Sequence, residues 1–278
     1  DLTQAMIVGD RKHDIIGGKL AGIRTAGILY GYVSREELAQ AGADLICRTP
    51  EEFTKIMLSE QQGDKRMNAT ERKIAEDLLS IRAVFFRPDQ PFTWASGIKS
   101  PVYCDNRLTL TDVEVRTDVE EGLARLIREH YPEVEVLMGT STAGIAHAAI
   151  TGHLMGLPMG YVRSGSKDHG RRNQIEGKLT PGERVVVIED LISTGGSVLD
   201  TVAALRAAGA EVLGVISIFT YGMAKGRQRL AEAGVKCVSL TDLDTIAQVG
   251  VQQGYITQGD VARLLAFRDL SLIHISEP

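Results

Sequence analysis

Cysteine is scarce in this chain: its 278 residues hold three, Cys47, Cys104 and Cys237. They form no Cys-x-x-Cys pair and no His/Cys metal spacing, which excludes a disulfide scaffold or a thiolate metal centre as the organising feature. An odd, sparse set of isolated thiols fits a reducing compartment, and a cytoplasmic location is expected. No run approaches the ~20 apolar residues that cross a bilayer, and no charged-then-apolar leader opens the chain, so no membrane partner is expected. A basic excess is also missing. The net charge is −5, which argues against a nucleic-acid partner, because such proteins present a basic face. The first residue is not Met, so a truncated start is expected.

What is present is the composition of a globular protein, 44% hydrophobic and 24% charged. The length allows one large domain or two ordinary ones. Four apolar runs, AMIVGD (5–10), EVEVLMGT (133–140), RVVVIED (184–190) and EVLGVISIFT (211–220), end in small or polar residues and precede helix-like stretches. Runs that are apolar throughout, rather than alternating, suit a parallel sheet covered on both faces. The predicted class is therefore α/β, with a parallel sheet flanked by helices. A polar stretch at 59–66, SEQQGDKR, predicts a linker. An amphipathic helix follows, with Asn68 or Thr70 placed to cap it. We expect the domain that follows the linker to span 67–269. The final stretch, 270–278, lacks a partner pattern and is expected to be a cloning or reading-frame remnant.

The most informative segment is RVVVIEDLISTGGS, 184–197. An apolar strand delivers Glu189 and Asp190 to its carboxyl end, where ligands bind in open α/β sheets. Leu191 and Ile192 follow, then Ser193, Thr194, Gly195, Gly196 and Ser197, which turn tightly and offer backbone N–H groups and hydroxyls to an anion. The helix predicted next, ending at Gly209, adds the positive end of its dipole. A plain phosphate cradle gains nothing from two carboxylates, but carboxylates accept hydrogen bonds from a diol. Phosphate at one end and diol at the other describe a ribose 5-phosphate. The segment is neither a Walker A loop nor a Gly-x-Gly-x-x-Gly turn. A second strand–loop–helix unit at 133–149 carries another small, hydroxyl-rich turn, 139–144. A third segment, 163–178, sets Arg163, Lys167, Arg171, Arg172 and Lys178 against Asp168 and Glu176, with His169 among them and glycines at 165, 170 and 177. A mobile basic loop suits a site that closes over a diphosphate and excludes water.

The 184–197 segment resembles the phosphoribosyl diphosphate (PRPP) motif of type I phosphoribosyltransferases, and the implied fold is theirs, with a small N-terminal hood. The resemblance implies that 139–144 holds the diphosphate, although the lysine that some relatives carry there is absent and Ala143 stands near its place. Arg163, Lys167 and His169 resemble the catalytic loop of orotate phosphoribosyltransferases, with Ser164 where relatives often have a second lysine. The stretch 91–107, PFTWASGIKSPVYCDNR, resembles that family's hood, and the resemblance as a whole runs from about Met67 to Asp269, most closely to the short form found in Gram-positive bacteria. Within it Gly97, Lys99 and Ser100 are donors suited to an anionic pyrimidine, and Tyr103 suits its ring. Trp94 fits either site or core. The resemblance implies that Ser193 contacts orotate, that Mg²⁺ enters bound to PRPP rather than to the protein, and that a homodimer shares the basic loop between subunits. It implies a pentosyltransferase that makes orotidine 5′-phosphate and diphosphate in de novo pyrimidine (UMP) biosynthesis. Lys167, His169 and Asp190 are the expected catalytic residues. PRPP is expected to be held by these three together with Arg163, Glu189 and residues 191–197. The rival readings are a purine or uracil phosphoribosyltransferase and a non-catalytic PRPP-sensing regulator.

Residues 1–58 follow another logic. A strand ends at Gly9–Asp10, and Asp14 lies four residues on, beside Lys12 and His13. Two carboxylates at a sheet's carboxyl edge suit Mg²⁺; caps or solvated turn residues are the alternative. The stretch resembles the C-terminal end of haloacid-dehalogenase-type phosphatases, near phosphoglycolate phosphatase, and so implies a partial Rossmann-like fragment. The Asp-x-Asp nucleophile motif of that family does not precede it in this sequence, so phosphatase activity is not expected. The piece reads as a fusion or as neighbouring reading frames joined near Met67. Within the transferase reading, Lys167→Ala should lower turnover far more than PRPP binding, and steady-state kinetics beside a PRPP titration measures both. Unchanged turnover would remove the basic loop from the chemistry.

Overall fold

The computed structural model describes residues 6–29, 33–54, 68–94, 97–164 and 174–270. The chain divides into two compact units, Asp1–Arg66 and Met67–Pro278.

In the first unit, β1 (Met6–Gly9), α1 (Lys12–Leu20), β2 (Arg24–Ile28), α2 (Arg35–Gln40) and β3 (Leu45–Cys47) alternate. The strands form a parallel sheet in the order β1-β2-β3. Ile15 and Leu38 from the helices are fully buried, as are Ala26 and Cys47 from the strands. Small residues permit the close packing: a Cβ on Gly18 would stand 2.4 Å from the Thr25 methyl, and one on Gly27 2.6 Å from Leu38. The Ser34 hydroxyl caps α2 by accepting from the Glu37 N–H at 3.1 Å.

The second unit opens with α3 (Ala69–Ser80). Of the two caps the sequence allowed, Asn68 is the one used: its Oδ1 accepts from the Glu71 N–H at 2.8 Å, and Glu71 answers by accepting from the Asn68 N–H at 3.1 Å. Thr70 instead accepts from Arg125. Next come two small hairpins. β4 (Val84–Phe86) pairs with β7 (Val102–Cys104), and β5 (Phe92–Thr93) pairs with β6 (Lys99–Ser100). A 3-10 turn over Asn106–Thr111 leads into α4 (Val113–His130).

The main sheet then forms from β8 (Val136–Thr140), β9 (Met159–Val162), β10 (Ile175–Glu176), β11 (Arg184–Ile192), β12 (Glu211–Thr220) and β13 (Cys237–Asp242), in the order β10-β9-β8-β11-β12-β13. All pairings are parallel except that of β10 with β9. The continuous apolar runs have the expected cause. Along β11, Val186 and Ile188 enter one buried cluster, with Leu78 of α3, Leu123 of α4 and Ile246 of α8 (Leu243–Gln252). Val185, Val187 and Ile192 enter the other, with Val202 and Leu205 of α6 (Gly196–Ala207) and Leu230 of α7 (Ala224–Glu232). Both faces of the strand are therefore dry. α9 (Gln258–Leu270) completes the unit and packs on α8.

The strand order sets the site. From β8 the chain passes through α5 (Ala143–Met155) to β9 on one side, whereas from β11 it passes through α6 to β12 on the other. Neighbouring β8 and β11 thus bracket the point where the order reverses, the crevice in which open α/β sheets bind ligands. Ile188 lies opposite Gly139 in the register, so Thr140, the last residue of β8, stands beside Glu189 of β11, which runs on to Ile192.

Candidate active site

The approach of the two loops is set by glycine. A Cβ on Gly144 would lie 2.4 Å from the Ile188 carbonyl oxygen, and one on Gly139 2.7 Å from the Gly144 carbonyl oxygen. The start of α5 therefore rests directly on β11. The Ser141–Thr142 peptide between them is cis. Gly195 takes φ +74 as the residue before α6, a left-handed conformation that favours glycine. The helix begins at Gly196, so Gly196 and Ser197, read from the sequence as loop, form its first turn with their N–H groups directed out of its positive end.

A cavity of about 900 Å³ lies over this junction. Glu189, Asp190, Leu191, Ser193 and Ser197 form one wall and Ser141 and Ala143 a second. The hairpins close the third with Phe85, Arg87, Phe92, Trp94 and Tyr103, beside Asp105 and Arg107. The hairpins are anchored from below. Tyr221, at the end of β12, accepts the Cys104 N–H at 3.1 Å. Asn106, fully buried, donates to the Asp190 carbonyl at 2.7 Å and accepts from the Cys104 thiol at 3.1 Å. Burial pushes both the Tyr221 phenol and the Cys104 thiol up. The far side of the 193–195 turn rests on α7: a Cβ on Gly226 would lie 2.4 Å from the Ser193 carbonyl oxygen, and Arg229 donates to the Thr194 carbonyl at 3.2 Å. Sequence reading passed over Asn106, Tyr221, Gly226 and Arg229, because they act on backbone groups distant in the chain. Beneath the 139–144 loop, Glu120 of α4 meets the His147 ring at 2.6 Å and accepts from Thr151 at 2.7 Å, all three buried.

The expected residues do not all converge. Glu189, Asp190, Leu191, Ser193, Ser197 and Tyr103 share the cavity. Ile192 turns the other way: its side chain is 3% exposed in the core and its carbonyl accepts from the Tyr221 N–H. Thr194 and Gly195 support the turn, one through its carbonyl and the other through its conformation. Lys99 is exposed on β6 and is not part of the cavity wall. Ser100 and Gly97 are committed elsewhere: the Ser100 hydroxyl donates to the Val102 carbonyl at 2.5 Å, and the Gly97 N–H donates to the Trp94 carbonyl. The cations on the wall are instead Arg87 and Arg107. Trp94 fills both roles left open for it, lining the cavity while its ring lies 5.0 Å from Tyr221 and 5.7 Å from Phe267. Arg163, 3.3 Å from Glu176, borders an adjoining cavity, and the Ser164 N–H donates to the Ser141 hydroxyl. Lys167 and His169 lie outside the described residues.

In the first unit, Asp10, Lys12, His13 and Glu37 line a cavity of about 250 Å³. Asp14 is not part of that lining. Its carboxyl lies against Gly9, where a Cβ would stand 2.3 Å from its Oδ2. No cluster of three His, Cys, Asp or Glu side chains suited to a metal ion occurs among the described residues.

Glu189 is the electrostatic focus. It is 6% exposed, and desolvation, reinforced by adjacent Asp190, pushes its carboxyl from the ordinary 4.5 up to about 8. Its Oε1 accepts the Asp190 N–H at 3.0 Å. An acid whose folded-state pKa is raised contributes stability below its unfolded value and loses it as pH rises through the folded one. Glu189→Gln should therefore gain melting temperature relative to the parent between about pH 5 and about pH 8.5. A pH-independent difference in thermal unfolding would show that Glu189 ionises normally.

A phosphoribosyl transferase domain model matches residues 112–253, and a HAD-hydrolase-like model matches residues 1–52. The orotate phosphoribosyltransferase of Bacillus subtilis (strain 168) is 56% identical over 195 residues, which make up 70% of this chain and 90% of that relative. The solved orotate phosphoribosyltransferase of Aeropyrum pernix is 31% identical with a TM-score of 0.58, covering 66% of this chain and 99% of that one. Leishmania donovani UMP synthase superimposes with a TM-score of 0.66 over 95% of this chain; this chain spans 60% of that one, and at 22% identity the likeness is of fold alone. The parallel sheet, its flanking helices and the two loops at its switch point are those of a type I phosphoribosyltransferase, and this chain belongs to the orotate phosphoribosyltransferases.

Proposed function

We propose that the cavity at the β8–β11 switch point transfers the phosphoribosyl group of PRPP to orotate, yielding orotidine 5′-phosphate and diphosphate for pyrimidine (UMP) biosynthesis. The observation that carries this reading is one cavity lined both by Glu189, Asp190, Ser193 and Ser197 on one wall and by Phe92, Trp94 and Tyr103 on another. The first wall matches a phosphorylated ribose and the second a flat ring.

In this reading Glu189 and Asp190 accept hydrogen bonds from the ribose hydroxyls. The N–H groups of 193–197, at the positive end of α6, hold the 5′-phosphate. The 139–144 turn holds the diphosphate. Ser193 meets orotate, whose ring rests on Tyr103. The N1 of orotate bonds to C1′ of the ribose as the C1′–O bond to diphosphate breaks, through a state with oxocarbenium character, and the N1 proton leaves with the diphosphate. Positioning and charge stabilisation supply most of the acceleration. Lys167 and His169 neutralise or protonate the departing diphosphate, and Arg163 helps to hold PRPP. A wall with Asp105, Glu189 and Asp190 suits a ligand that brings its own cation. Mg²⁺ brought in with PRPP would supply charge neutralisation to the departing diphosphate beside Asp105, Glu189 and Asp190.

The proposal extends to a cytoplasmic homodimer in which the basic loop completes the neighbouring subunit's site, without nucleic-acid or membrane partners. Among the described residues no helix is long and apolar enough to cross a membrane. It assigns the transferase to 67–269 and no chemistry to 1–58, the linker 59–66 or the tail.

The full chain should consume PRPP with orotate and not with uracil or adenine, and chelating Mg²⁺ should stop it; diphosphate release reports each arm. Selective release with adenine or uracil would reassign the base. PRPP binding without turnover of any base would indicate a regulator.

A further inference from the structure

The β4–β7 hairpin has two chemically different faces. Phe85 pairs with Tyr103, and their neighbours Val84 and Phe86 pair with Cys104 and Val102. Side chains alternate across a strand. Val84, Val102 and Cys104 accordingly enter the core, whereas Phe85 and Tyr103 remain 43% and 37% exposed on the cavity wall. The Arg87 N–H donates to the Pro101 carbonyl at 2.7 Å, so the pairing continues and Arg87 extends the Phe85 face. Its guanidinium carbon lies 4.7 Å from the centre of the Phe92 ring, and that ring centre is 5.7 Å from the ring centre of Tyr103.

Two cationic side chains stand on this wall among the described residues, and they differ in commitment. Arg107 is clamped by Asp105, Nε to Oδ1 at 2.6 Å and Nη2 to Oδ2 at 2.7 Å. Arg87 has no carboxylate partner among the described residues. The acid nearest to it in sequence, Asp89, is held by Arg263 at 2.5 Å. Stacking on an aromatic ring fixes the plane of a guanidinium and leaves its N–H edge available for a carboxylate, which it can grip with two parallel bonds.

We propose that Arg87 is the specificity-determining residue that reads the carboxylate of the pyrimidine, with the Phe85–Tyr103 face as the platform for its ring. The assignment rests on the transfer reaction proposed above. It gives the selective donor role to Arg87 rather than to Lys99, and it explains how this site separates orotate from uracil, which has the same ring without the carboxylate. Arg87 is exposed in the free protein, and a polar contact that the bound ring covers rejects a ligand that leaves it unpaired more strongly than an apolar pocket rejects an added group.

The test is steady-state kinetics of the full chain and its Arg87→Gln and Arg87→Lys variants, with orotate and PRPP varied separately. Arg87→Gln should raise the orotate KM roughly tenfold or more, as expected for a charge-assisted pair. Its PRPP KM and melting temperature should stay near the parent's, and Arg87→Lys should recover part of the orotate affinity. An unchanged orotate KM would overturn the assignment. So would equal rises in both KM values, which indicate a structural role. If the parent chain turns over no orotate, the transfer reaction and the assignment fall together. Parent turnover with an unaffected Arg87→Gln variant sinks the assignment alone.

Discussion

The site depends on the contact between the first turn of α5 and the Ile188 backbone of β11. Gly144 approaches the Ile188 carbonyl so closely that a methyl group there would collide with it. That approach brings the loop after β8 against the loop after β11, at the point where the sheet's connections diverge. Without it the two loops would be separate turns on one sheet edge. With it they share a crevice, in which the proposed reaction seats a ligand carrying phosphate at one end and diphosphate at the other.

The rest of the second unit supports that junction by gripping backbone. Asn106 takes the carbonyl of Asp190, Arg229 that of Thr194, and Tyr221 bonds the backbone of both the hairpin and β11. Holding a loop by its main chain leaves the side chains of Asp190 and Ser193 free for ligand. Glu189 shows the cost of such preorganisation. It is desolvated beside a second acid, which works against the free protein, and in the proposed reaction ribose hydroxyls and an incoming cation would relieve it.

Legibility in the sequence followed the range of the physics. The dry strands were visible because burial on both faces leaves an unbroken apolar run, as in Val185–Ile188. The PRPP loop was visible because two acids followed by small residues is a local pattern. The Asn68 cap needed the structure to choose it over Thr70, since both are good caps and only Asn68 completes the reciprocal bond with Glu71. The core position of the Ile192 side chain was not legible, because the alternation along β11 breaks after Ile188: Leu191 packs with Val186 and Ile188, and Ile192 with Val185 and Val187. In the hairpins, donor-rich composition drew attention to Lys99 and Ser100, while the residues facing the cavity were set by the pairing register that places Phe85, Arg87 and Tyr103 on one face. The anchors Asn106, Tyr221 and Arg229 carry no local signal, for their partners lie tens of residues away.

Hydrogen exchange of the full chain, read segment by segment with Mg²⁺–PRPP and then with orotate added to a non-reacting PRPP analogue, tests the central claim most directly. PRPP should slow exchange at 139–145 and 189–198, the analogue with orotate should add protection at 84–104, and 6–47 should not respond. Protection by PRPP within 6–47, or its absence from 189–198, would contradict the placement of the reaction at the β8–β11 junction.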